Sequence, residues 1–161
     1  MGEQMINDNI FELIGKKWML ITPSGEKANP MTASWGFVGV IWNRDVVNVL
    51  IRPTRLTYEL MEKTEYFSLS FLDEKHREIL NYCGTHSGRD VDKIKETGLK
   101  LEKDSEFYLY DQSFMTICCK KIYYQDIDPQ NFLDEGIQKL YPKFDYHRCY
   151  IGEINKVIKN R

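Results

Sequence analysis

Only Asn43, Arg44 and Asp45 separate an extended run at 31–42 from another at 46–52. A connection that short cannot carry the chain back across a sheet to begin a parallel neighbour, so the two runs must pair as an antiparallel hairpin. Four more segments rich in β-branched and aromatic residues recur at about 17–22, 66–72, 107–125 and 147–158. Helical patterns fall between them, at about 55–64, 74–83, 89–97 and 129–141. No repeat, low-complexity tract or linker divides the 161 residues, so one domain spanning 1–161 is expected. Antiparallel strands with short helices at the connections predict a mainly β fold that removes its exposed edges by closing into a small barrel.

The formal net charge of −2 provides no broad positive field for nucleic acid. The longest apolar run, 35–42, is far short of the roughly 20 residues that span a bilayer. Glu3, Asp8 and Glu12 stand where a secretory leader would carry a basic end and an apolar run. A cytoplasmic protein is therefore expected, with neither membrane nor nucleic acid as partner. Cys83, Cys118, Cys119 and Cys149 show no CxxC spacing, and the adjacent pair would face opposite sides of a strand. Reduced thiols are the expectation. His76 and His86 complete no ligand set by spacing, so no metal is expected.

The helix expected at 55–64 begins with cations. The run VVNVLI ends in Arg52 and Pro53, Thr54 is placed as an N-cap, and Arg55, Thr57 and Tyr58 fall in the first turn. Positive side chains there oppose the helix dipole, whose N-terminal end is already partly positive. A cap hydroxyl, free N–H groups and two guanidinium forks would hold a phosphate; equally, Thr54 could only cap while both arginines lie in water. A second such corner follows in CGTHSGRDVDKIKETG, where Gly84, Ser87 and Gly88 form a turn before a short helix bearing Arg89 and Lys93. A plain glycine loop is the alternative here, because Asp90 and Asp92 would complement the dipole. Neither corner has Walker or dinucleotide-fingerprint spacing.

Along the strand of Met31, Thr32, Ala33, Ser34 and Trp35, alternation places Thr32 and Ser34 on one face and Ala33 and Trp35 on the other. Small side chains let a flat ring approach the backbone. An ordinary barrel strand with Trp35 in the core would read the same way. A ring platform beside a phosphate corner predicts a nucleotide-like cofactor.

Taken in order, NPMTASW at 29–35, IRPTRLTYELM at 51–61 and CGTHSGRDVDKIKETGL at 83–99 resemble the flavin reductase-like, FMN-binding split-barrel family, particularly its flavoredoxin-type members. The resemblance spans roughly residues 15–155. It implies a Greek-key split β-barrel, a homodimer with flavin near the subunit interface, and redox chemistry carried by the flavin. FMN is implied in preference to FAD, with NADH or NADPH as donor and a redox partner protein or a small molecule as acceptor. An FMN-holding electron carrier without an efficient hydride step is the alternative. By position, Asn29 and Met31, Thr32, Ala33, Ser34 and Trp35 match the family's segment along the isoalloxazine ring. Arg52, Thr54, Arg55 and Thr57 match its phosphate and ribityl corner, and Ser87, Gly88 and Lys93 match the second loop on the flavin's polar tail.

The resemblance also makes His147 a candidate for nicotinamide binding, although Tyr146 separates it from Asp145 where the family's Asp-His motif is adjacent. A half-buried histidine at a strand start is the alternative. Cys83, beside the second loop, is expected as a packed thiol. Finally, the run MTASWGFVGVIW together with Tyr141, Phe144, Tyr146 and Tyr150 supplies more apolar surface than one small barrel covers, in keeping with a homodimer.

Overall fold

The computed structural model describes residues 6–160; Glu3, one of the acidic residues weighed against a leader, lies outside them. Nine strands alternate with short helices: β1 Met19–Pro23, β2 Met31–Ala33, β3 Gly36–Ile41, β4 Arg44–Ile51, β5 Tyr66–Leu72, β6 Leu101–Asp104, β7 Phe107–Tyr110, β8 Ser113–Asp126 and β9 Arg148–Lys159. The helices are α1 Ile10–Glu12, α2 Leu56–Lys63, α3 Arg77–Thr85 and α4 Lys93–Thr97. Seven strands form one sheet in the order β2-β1-β5-β8-β9-β4-β3, and β6 pairs with β7 apart from it. Every pairing is antiparallel.

The two edge strands of the large sheet, β2 and β3, are joined by Ser34 and Trp35 alone. Two residues can bridge opposite edges of a seven-stranded sheet only if the sheet curls back on itself, so the result is a barrel without a hydrogen-bonded seam between β2 and β3. This is the split barrel the resemblance implies. The expected strand at 31–42 is therefore one extended run that changes partner half-way, from β1 to β4. Gly36 makes the change practicable: its φ is 152°, and a Cβ there would lie 2.7 Å from the Asn48 carbonyl oxygen.

The hairpin comes out as expected. Trp42 and Asn43, with φ of 53° and 57°, form the two-residue turn, and β4 starts at Arg44. Elsewhere the boundaries shift. The run at 107–125 breaks at Asp111 and Gln112 into β7 and β8, while β6, with its charged LEKD, is a strand the β-former pattern misses. The helix expected at 74–83 is a 3-10 turn followed by α3, and the one expected at 89–97 shrinks to α4, capped by Asp92. The pattern at 129–141 is two 3-10 stretches, each opened by an aspartate cap, Asp128 and Asp134. An N-terminal helical turn also forms, with Asn9 accepting the Phe11 and Glu12 amides.

The main core lies inside the curl. Met19, Ile21, Val47, Val49, Ile51, Phe67, Leu69, Phe71, Met115, Ile117 and Tyr150 fill it. Alternate residues of β1 and β5 serve a second cluster, in which Leu20 and Leu72 pack with Leu80 and Cys83 of α3, Leu99 and Tyr110. Each such large apolar side chain contributes about 1.5–3 kcal/mol on burial. None of the helices among the described residues is long and apolar enough to cross a membrane.

Candidate functional site

Where the chain crosses between the sheet edges, residues 31–35 form one wall of a cavity of about 220 Å³. Leu50 from the end of β4, Arg52 just beyond it, Arg55 before α2 and His147 before β9 complete the lining. Residues from three distant stretches singled out in the sequence thus meet in one place. Trp35 is 40% exposed, so its placement in a core is overturned. Its ring instead rests on His147, with centroids 5.1 Å apart and planes tilted by 53°. The strand is held from behind by Thr32, whose hydroxyl donates to the Leu80 carbonyl of α3 at 2.5 Å.

His147 is buried, not half-buried at the surface. Its Nδ1 lies 2.6 Å from the Tyr141 hydroxyl. Burial, followed by the nearby positive charge of Arg52, pushes its pKa down to about 4, so the ring is neutral at pH 7. Arg52 ties down the segment that leads to this histidine. One guanidinium nitrogen pairs with Asp145 at 2.9 Å, another donates to the Leu140 carbonyl at 3.1 Å, and the group lies 4.8 Å above the Tyr141 ring.

The clash of charge and dipole read from the sequence has an answer inside the chain. Thr54 does not cap α2: that position is held by Arg55, with extended backbone and no side-chain cap, and exposed Thr54 offers only its carbonyl, to Arg89 at 3.3 Å. The chain turns between Arg52 and Arg55, through an amide-to-carbonyl bond of 3.1 Å, so the helix starts too late for the threonine to reach its amides. The Arg55 head points away from α2 towards the last turn of α3, donating to the Gly84 and Cys83 carbonyls at 3.3 and 3.5 Å. Lys93 joins it, with Nζ 3.0 Å from the Cys83 and Pro30 carbonyls. Both cations thus sit at the negative end of α3 and satisfy carbonyls that the helix leaves open. Lys93 is only 3% exposed. Burial lowers its pKa to about 8, and burial raises the neighbouring Cys83 thiol to about 11. Cys83 is the packed thiol expected.

The remaining candidates lie on the far side of this cluster. Asn29 donates to the Thr57 hydroxyl at 3.4 Å, and both are buried. Gly88 packs on Asn29 so closely that a Cβ would come within 2.1 Å of its Oδ1, which is why glycine stands there. Asn29, Gly88 and Lys93 border a larger groove of about 1090 Å³ between the loop at 24–29, α2 and the stretch at 88–94. Thr54, Thr57 and Ser87 line neither hollow. Leu50 lines the cavity and Tyr141 bonds to its His147, and the sequence marked neither for the site; Asp145, noted beside His147, pairs with Arg52. Leu50 carries no chemical signal, whereas the aromatic spacing of 141, 144, 146 and 150 was visible but read as surface: Tyr141 and Tyr150 are in fact buried, and only Phe144 of the four is exposed.

A family model for the flavin reductase like domain matches residues 13–157. The chain belongs to the flavin reductase-like family. No curated protein matches it. Among solved structures, the FMN-binding protein of Thermus thermophilus with bound p-hydroxybenzaldehyde is similar over 100% of this chain and 83% of its own, with TM-score 0.72 and 17% identity. The flavoredoxin of Desulfovibrio vulgaris (Miyazaki F) is similar over 89% of this chain and 69% of its own, at TM-score 0.70 and 20% identity. The NADH:FAD oxidoreductase of Streptomyces globisporus, in complex with NAD and FAD fragments, matches 89% and 74% at TM-score 0.68 and 14% identity. At these identities the likeness is one of fold. This flavin reductase-like chain therefore has the split-barrel fold of flavin-binding proteins, and its 220 Å³ cavity lies where the family motif at 29–35 meets Arg52, Arg55 and His147.

Proposed function

We propose that this chain is an FMN-binding oxidoreductase that passes electrons from NADH or NADPH through bound flavin to an acceptor, and that it works as a homodimer. The observation that supports it most is the meeting of residues 31–35, Arg52, Arg55 and His147 around one cavity. The donors there fit a flavin: a backbone run with small side chains for the ring, an uncharged imidazole at its edge, and the Arg55 guanidinium, whose long bonds to two carbonyls leave further N–H groups for a phosphate. When bound, flavin supplies hydride acceptance and onward electron transfer. The side chains position it: Trp35 and His147 shape the rim, Thr32 anchors the platform to α3, and Arg52 holds the segment carrying Tyr141 and Asp145 against the cavity.

A volume of 220 Å³ is below the roughly 300–1,000 Å³ of cofactor pockets, as suits a half-site finished by a second copy. The free edge of β3 and the exposed Phe37, Val40, Ile41 and Trp42 beside it are the surface for that copy. Four free thiols suit a reducing, cytoplasmic setting. Anaerobic stopped-flow mixing with NADH and with NADPH is the test: fast bleaching of the flavin band supports a reductase. Reduction only by dithionite or a partner protein would favour an electron carrier that holds FMN without an efficient hydride step of its own. Colourless protein that takes up no added FMN would overturn both.

A further inference from the structure

Behind the cavity wall, His147 makes a contact that flavin binding alone does not explain. Tyr141 is fully inside, stacked 6.1 Å from Phe132 and tilted against Tyr146 at 4.9 Å, with Arg52 over its face. Its hydroxyl oxygen also takes a hydrogen bond from the His147 backbone amide, a donor, so the acceptor beside the hydroxyl among the described residues is His147 Nδ1 at 2.6 Å. Burial raises the phenol's pKa, so the hydroxyl keeps its proton. If Nδ1 also carried a proton, the hydroxyl would be a buried donor with no acceptor, which folded chains avoid. The proton therefore runs from Tyr141 Oη to Nδ1, and the neutral ring must carry its own proton on Nε2. Among the described residues that nitrogen has no hydrogen-bond partner, and the ring borders the cavity beside Trp35.

We propose that Tyr141 is a positioning residue that holds His147 as the Nε2–H tautomer, so that the cavity offers an uncharged N–H to an acceptor atom, a carbonyl oxygen or imine nitrogen, on the rim of the flavin ring. This rests on the flavin reading above. A neutral donor recognises an edge by hydrogen bonding alone, while the charged groups that face the ring, Arg52 and Asp145, are engaged with each other at 2.9 Å. Tautomer choice by the partner of the second ring nitrogen is the usual means of fixing such a donor.

The inference is tested by nitrogen NMR of the histidine rings at pH 7 and by titration with FMN and riboflavin. In the wild type, the His147 proton should be on Nε2; in Tyr141→Phe, which removes only the hydroxyl, both tautomers should be populated and affinity for both flavins should fall about threefold to tenfold. Two further variants do not depend on how Tyr141→Phe packs. His147→Gln keeps a donor near the Nε2 position and His147→Asn places one near Nδ1, so the glutamine variant should lose less flavin affinity than the asparagine variant. A wild-type proton on Nδ1 overturns the proposal, as does a Tyr141→Phe protein with unchanged tautomer and unchanged affinity. A wild type with the Nε2 proton that takes up no flavin upholds the tautomer but overturns the acceptor, and with it the flavin reading.

Discussion

Removing the Arg55 side chain should separate phosphate binding from ring binding. Arg55 is the cavity's cation with donors to spare, whereas two nitrogens of Arg52 are taken by Asp145 and the Leu140 carbonyl. Arg55→Ala should weaken FMN by about 1.5–3 kcal/mol, roughly tenfold to 150-fold, and riboflavin much less. Arg52→Ala should instead free the segment bearing Tyr141 and Asp145, weakening FMN and riboflavin alike. Equal losses for both flavins in Arg55→Ala would remove the phosphate assignment. A second residue-scale outcome concerns acid. His147 takes its proton near pH 4 when folded and near 6.5 when unfolded, so between those values the unfolded chain binds the extra proton and stability falls as pH falls. The contribution is at most roughly 3 kcal/mol, complete above pH 6.5 and gone below 4. Urea midpoints at pH 7 and 4.5 should therefore drop more for wild type than for His147→Gln; equal drops would show that His147 titrates normally. Of these residues, Arg52, Arg55 and His147 were legible in the sequence because charge and motif mark them. What their heads bond to was not, since the carbonyls of Cys83 and Gly84 and of Leu140 are brought to them only by the fold.

At the scale of elements, β2 and its continuation into β3 serve both the fold and the site. Alternating β-formers made 31–42 legible as extended, but nothing in the pattern could show that its two halves pair with strands at opposite ends of a sheet order. Gly36, with its positive φ, was the available sign of the crossing. The lost helix at 129–141 has a similar cause. Its periodicity is real, yet Phe132 and Tyr141 satisfy it by stacking on each other, with Tyr146 set edge-on to Phe132, and the aspartate caps restart the chain twice. Asn9, followed three residues later by Glu12, was a cap signal that was available and not used. The platform carries its own prediction. Ala33 is paired with Met19, packs partly against the main core and lines the cavity. Leucine there would extend into the cavity and push a flat ring off the backbone, while the Arg55 corner stays intact. Ala33→Leu should keep its circular dichroism yet lose flavin, or hold it with a shifted absorbance spectrum and slower reduction. Unchanged flavin content and rate would take Ala33 out of the site, and loss of folding would make it a core residue.

For the whole molecule, the question is what covers the exposed edge of β3. An edge strand with Phe37, Val40, Ile41 and Trp42 exposed, and Tyr123 packed edge-on against Trp42 at 5.5 Å, is the kind of surface that a monomer rarely leaves in water. It adjoins the mouth of the cavity, because β3 begins one residue after Trp35. If a second copy covers this face, it also completes the wall that the 220 Å³ half-site lacks, so dimerisation and flavin binding must rise and fall together. Val40 is suited to the test, being 73% exposed and outside both core clusters, so a charge there should leave the folded chain intact. Sedimentation of wild type at micromolar concentration should give about twice 19.1 kDa, and Val40→Lys should move the protein towards the single-chain mass with native circular dichroism. The variant should also bind FMN at least about tenfold more weakly, since losing the covering wall removes several contacts at once. A wild type that sediments at the single-chain mass with flavin still bound would disprove the half-site. A monomeric Val40→Lys with undiminished FMN affinity would separate the dimer from the cofactor and leave the cavity to one chain.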